Sequence, residues 1–102
     1  MPGATVPRQL DAAILPVPTI SLFFGIAIRM YFEEHGPAHF HAIYGEFEAV
    51  FEIETLKMVH GKLPARAKTL VLEWAFEHRD ELALNWERAR NQQPLERIDP
   101  LE

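Results

Sequence analysis

Ile26-Ala27-Ile28-Arg29-Met30-Tyr31-Phe32-Glu33 alternates throughout its length. Ile26, Ile28, Met30 and Phe32 share one face of an extended chain, and Ala27, Arg29, Tyr31 and Glu33 share the other. This is the pattern of a half-buried strand. On its N-terminal side, Ile20, Leu22, Phe23 and Phe24 lead into it through Gly25. On its C-terminal side, Glu34-His35-Gly36-Pro37 reads as a turn. His39 to Tyr44 then reads as a strand closed by Gly45-Glu46. Phe47 to Ile53 alternates again, with Phe47, Ala49, Phe51 and Ile53 on one side and Glu48, Val50 and Glu52 on the other. A short strand around Lys57 to His60 precedes Gly61. The spacing predicts an antiparallel meander of three to five strands with one buried and one wet face.

After Leu63-Pro64 the period changes. Pro64 suits the start of a helix, and Ala67, Leu70, Val71, Trp74, Ala75 and His78, then Leu82, Trp86 and Ala89, recur at helical spacing. No Gly or Pro interrupts Ala65 to Asn91, so this is one long helix or two joined near His78–Asp80. Trp74 and Trp86 read as packing residues and His78 as a packed or capping one. Leu95, Ile98 and Leu101 predict a tail that docks in extended form. The fold class is therefore α+β, a small sheet packed on C-terminal helical structure. Residues 1–16, broken by Pro2, Pro7 and Pro16, read as a poorly ordered N-terminal extension, and 17–102 as a single domain.

The chain has 102 residues, 48% of them hydrophobic and 25% charged, which supports one globular domain with a modest core. It has no cysteine, which excludes disulfides and thiolate metal sites. The longest apolar stretch, Ile20 to Ile28, is too short to span a bilayer, and no signal peptide is visible. A cytoplasmic protein without membrane partners is expected. A net charge of −5 argues against non-specific coating of nucleic acid. The charge is uneven, however. Lys57, Lys62, Arg66 and Lys68 lie in the acid-free interval between Glu54 and Glu73, whereas eight acids face four arginines from Glu73 onward. That interval is a solvated turn and helix start, or a local patch for phosphate or an acidic partner.

Three of the five histidines, His35, His39 and His41, fall within seven residues. On a strand His39 and His41 point the same way. If Phe40, Ala42 and Tyr44 face the core, both histidines emerge on the wet face beside Arg29, Tyr31 and Glu33, and near Glu48 and Glu52. Two chemistries suit such a surface. Imidazoles two residues apart on a strand can share a divalent metal, with His35 or a glutamate as third ligand. Alternatively, histidine and glutamate can move protons while arginine holds a phosphate, the equipment of a small ribonuclease. The bland alternative is a polar hairpin whose histidines bond only within it.

Several segments of the chain resemble a known family. They are Pro18-Thr19-Ile20-Ser21, Ile28-Arg29-Met30-Tyr31, His35-Gly36-Pro37-Ala38-His39-Phe40-His41-Ala42, Gly61-Lys62-Leu63-Pro64, Glu73-Trp74-Ala75, Asn85-Trp86 and Ile98-Asp99-Pro100-Leu101. They resemble, in the same order, the bacterial family called domain of unknown function 4160. The resemblance implies a small α+β protein encoded beside another small protein (domain of unknown function 2442), in an arrangement like a toxin–antitoxin pair. It carries no established reaction. Its histidine segment corresponds to His35, His39 and His41. Members of the family typically begin Met-Pro-Thr-Ile, which corresponds here to Val17-Pro18-Thr19-Ile20, so the resemblance also implies that residues 1–16 are an upstream extension.

Together these readings predict a toxin-like component of a two-gene module acting on RNA or translation. His39 and His41 are its acid–base candidates, His35 and Glu33 assist, and Arg29 binds phosphate. No cofactor is expected apart from a divalent metal, for which His35, His39 and His41 are the candidate ligands. The expected partners are the small protein of the neighbouring gene and RNA. The alternative is a non-catalytic protein that binds or regulates its partner, a role that survives loss of the histidines.

Overall fold

A computed structural model describes residues 18–102; the N-terminal extension read from the sequence lies outside them. Five strands form one antiparallel sheet in the order of the chain: β1 (Thr19–Phe23), β2 (Ile26–Arg29), β3 (His39–Tyr44), β4 (Phe47–Glu52) and β5 (Met58–Gly61). Two helices follow, α1 (Ala65–Glu77) and α2 (Arg79–Arg90). The expected α+β meander with C-terminal helices is the observed fold.

Local chemistry explains the hairpins. Phe23 pairs with Ile26, leaving Phe24-Gly25 as a two-residue turn with φ of 51° and 81°. Positive φ at both central positions is the type I′ signature, whose twist matches that of the flanking strands. Tyr44 pairs with Phe47 across Gly45-Glu46, where only Gly45 has positive φ, at 59°, the type II′ pattern with glycine first. Gly61 ends β5 with φ of 78°, and a Cβ there would lie 2.1 Å from the Glu48 carbonyl oxygen. Only glycine permits β5 to close so tightly on β4.

The alternation read from the sequence sorts the two faces. Ile26, Ile28, Met30, Phe40, Ala42, Ala49, Phe51 and Ile53 are buried together. α1 covers them with Ala67, Val71, Trp74 and Ala75. The Trp74 ring lies 5.4 Å from Phe23 and 6.1 Å from Phe40, which in turn stacks on Phe51 at 5.4 Å. Burial of this apolar surface is the main force holding sheet to helix.

The helical stretch is two helices rather than one. At His78 φ is −121°, and its N–H reaches back to Ala75 O at 3.1 Å. The break redirects the chain, so Leu82, Trp86 and Ala89 are buried in their turn. His78 packs its ring 5.4 Å from Trp74 and pairs with Glu81, the packed role expected of it.

The tail docks as an extended segment. Ile98 is buried, and its N–H donates to Ile20 O at 2.8 Å, while the Ser21 hydroxyl donates to Ile98 O at 2.9 Å. The Trp74 indole N–H donates to Asp99 O at 2.8 Å. Asn85, wholly buried, grips Glu96 from both sides: its Nδ2–H donates to Glu96 O at 2.8 Å, and its Oδ1 accepts from the Glu96 N–H at 3.0 Å. Ser21, Trp74 and Asn85 therefore meet backbone partners.

Candidate metal centre on the histidine face

The register places the second sheet face as a set of rows. Arg29, His41, Val50 and His60 are successive cross-strand partners, and His39 pairs with Glu52. Because Phe40 and Ala42 are in the core, His39 and His41 point the opposite way, as the alternation requires. Both are largely covered there, with side-chain exposures of 15% and 12%.

The third member of the cluster is Glu34. β2 stops at Arg29 and the chain turns at Phe32-Glu33, so the alternation that pointed to Glu33 does not persist. Glu34 reaches the histidines instead. Its Oε1 lies 2.7 Å from His39 Nε2 and 2.9 Å from His41 Nε2. The three candidate ligand atoms all lie within 4.8 Å of one another.

The remaining ring nitrogens are also engaged. His39 Nδ1–H donates to the Pro37 carbonyl oxygen at 2.9 Å, and His41 Nδ1 lies 3.0 Å from Glu48 Oε2. All four ring nitrogens thus face oxygens that can only accept, if both glutamates are ionised. A neutral imidazole has one N–H. With that proton on Nδ1, each Nε2 turns a lone pair toward the Glu34 carboxylate. Two conditions relieve the mismatch: a second proton on each ring, or a cation shared by both Nε2 atoms and Glu34. The second is the usual arrangement of metal-binding histidines, whose far N–H is held by a carbonyl or a carboxylate.

The surroundings fix the rings. His41 meets Tyr31 edge-on at 4.4 Å, and His39 packs 4.9 Å from Trp86 of α2. The two imidazoles lie 5.5 Å apart. Arg29 is half-buried opposite His41, and its Nε is buried without a hydrogen-bond partner.

Of the residues singled out from the sequence, His39, His41 and Arg29 therefore share this face. His35 is exposed in the loop and is not among the converging ligand atoms, and Glu33 is exposed beside it. Two contributors escaped the sequence reading in their actual roles. From sequence, Glu34 reads only as part of the turn, and Glu48 lies near the histidines without a task. The available signal for Glu34 was a carboxylate immediately before a His-x-x-x-His-x-His segment, at the point where a turn resets the alternation.

The fold and the cluster define a small α+β domain with a two-histidine, one-carboxylate centre on the open face of its sheet. The chain belongs to the family described as Domain of unknown function (DUF4160), whose model matches residues 25–87, a span that contains Glu34, His39, His41 and Glu48. No curated protein and no solved structure matches it. Among the described residues no helix is long and apolar enough to cross a membrane.

Proposed function

We propose that the histidine face is a divalent-metal centre that hydrolyses phosphodiesters, and that the protein uses it as the toxin-like, RNA-directed member of a two-gene module. The observation that carries the reading is the convergence of both Nε2 atoms on Glu34 while both Nδ1 atoms are engaged by other oxygens. Two imidazoles and a carboxylate suit a first-row transition ion such as Zn²⁺ or Mn²⁺ and leave coordination positions for water. A divalent ion held by Glu34, His39 and His41 would activate a water for attack on phosphorus. The P–O bond so formed would replace the bond to the leaving oxygen, which would take its proton from solvent. The sum is addition of one water.

RNA as substrate is supported by Arg29 on the same face and by the acid-free run Lys57, Lys62, Arg66 and Lys68 around β5 and the start of α1. The test is induction of the full chain in bacteria beside the His39→Ala/His41→Ala double variant, followed by incubation of the purified proteins with RNA, with and without EDTA. Growth arrest by the wild type alone and RNA cleavage abolished by EDTA are expected. Cleavage that persists in EDTA and needs both histidines moves the chemistry to metal-free acid–base catalysis. Unaffected growth and intact RNA refute the toxin reading and leave a partner-binding role.

A further inference from the structure

Beside the metal face lie two concavities of about 220 and 320 Å³, and Glu34, His35 and Arg90 line both. The smaller is completed by Gly36 and by Trp86, the residue whose ring also backs His39. One wall of this space is therefore a metal-ligand candidate, and another supports a second one. Arg90, the last residue of α2, is exposed, and its side chain makes no hydrogen bond or ion pair among the described residues. Its neighbours differ. Arg88 donates to Asn85 Oδ1 at 3.0 Å and Arg79 to Glu54 O at 3.1 Å. A cation in the last turn also suits the helix dipole, but Arg88 already fills that role. The Arg90 guanidinium is left with its donors available at the rim of a hollow that opens beside Glu34.

Taking the metal reading above as its basis, we infer that this hollow is the phosphate subsite of the centre, with Arg90 as the residue that anchors an RNA strand. A divalent ion on Glu34, His39 and His41 together with Arg90 offsets the charges of Glu33, Glu34 and Glu48, so the hollow attracts an anion more strongly with the metal bound than without it. The planar guanidinium matches phosphate geometry in a way a lysine does not. Arg90 touches the strand, not the reacting atoms, and its loss acts on binding.

The test is fluorescence anisotropy with a labelled, phosphorothioate-linked oligoribonucleotide and metal-loaded protein, comparing wild type with Arg90→Ala and Arg90→Lys. Metal affinity of each is measured separately by calorimetry. Arg90→Ala weakens oligonucleotide binding about tenfold, the scale of one charge-assisted hydrogen bond, and lowers the salt-dependence slope by about one. Arg90→Lys falls between. Metal affinity and thermal midpoint stay unchanged in both, because Arg90 is exposed. Equal oligonucleotide binding by wild type and Arg90→Ala, both metal-loaded, overturns the subsite and leaves the metal centre standing. Failure of the wild type to take up metal removes the metal reading and this one together. Inorganic phosphate that competes as strongly as the oligonucleotide itself overturns the strand as the ligand.

Discussion

Asn85→Ala removes the clamp that holds the C-terminal tail, and its cost can be worked from three hydrogen bonds. Asn85 donates to Glu96 O, accepts from the Glu96 N–H, and accepts from Arg88 Nη1, at 2.8, 3.0 and 3.0 Å, with its side chain wholly buried. At about 0.5–1.5 kcal/mol net for each bond, the loss is about 2–4 kcal/mol. Glu96 is exposed, so water can reach its freed backbone groups once the tail lifts, which favours the lower half of that range. For a domain of this size, each kcal/mol moves the melting midpoint by about 4–8 °C, so a loss of about 2–3 kcal/mol gives a fall of about 8–24 °C. The assay is thermal unfolding followed by circular dichroism, with urea unfolding for the free energy. Asn91→Ala is the control. Its Nδ2–H donates to Glu87 O at 2.9 Å from an exposed position, and its removal costs less than about 0.5 kcal/mol. If Asn85→Ala unfolds within about 0.5 kcal/mol of wild type, the clamp does not hold the tail and the reasoning fails.

Two other substitutions probe how the site is supported. Glu48→Ala frees His41 Nδ1 and lowers metal affinity about tenfold, the lower end of the range for an outer-shell partner, because Glu48 is half exposed and water can replace it; calorimetric affinity equal to wild type contradicts that role. Gly61→Ala forces a Cβ against the Glu48 carbonyl at positive φ and destabilises the fold by more than about 2 kcal/mol; urea unfolding with an unchanged midpoint shows that β5 does not pack on β4 as described.

The sheet was legible because its period-two pattern is nearly unmixed. Ile26, Ile28, Met30, Phe40, Ala42, Ala49, Phe51 and Ile53 are apolar at every inward position and are buried. The same parity put His39 and His41 on the outer face without further information. The identity of their carboxylate partner depends on where β2 ends. Alternation carried through Phe32 selects Glu33, whereas a strand that stops at Arg29 and turns at Phe32-Glu33 delivers Glu34. The sequence marks a turn at Glu34-His35-Gly36-Pro37, so the earlier bend at Phe32-Glu33 has no local signal. The helix break at His78 is similar, since neither Gly nor Pro accompanies it, and what selects it is the packing of two separate apolar stripes. The tail's apolar spacing was visible, but its anchors were not. Ser21 meets Ile98 across 77 positions of sequence, and such pairings are set by the assembled fold, not by neighbouring residues.

The central claim is that Glu34, His39 and His41 bind one divalent ion. Isothermal titration of the full chain with Zn²⁺ and Mn²⁺, beside Glu34→Gln and the His39→Ala/His41→Ala double variant, tests it most directly. One ion per wild-type chain is expected, with affinity weakened by about tenfold or more in Glu34→Gln and no uptake at this site by the double variant while both variants stay folded. Wild type that binds neither ion, or a double variant that binds as tightly as wild type, contradicts it.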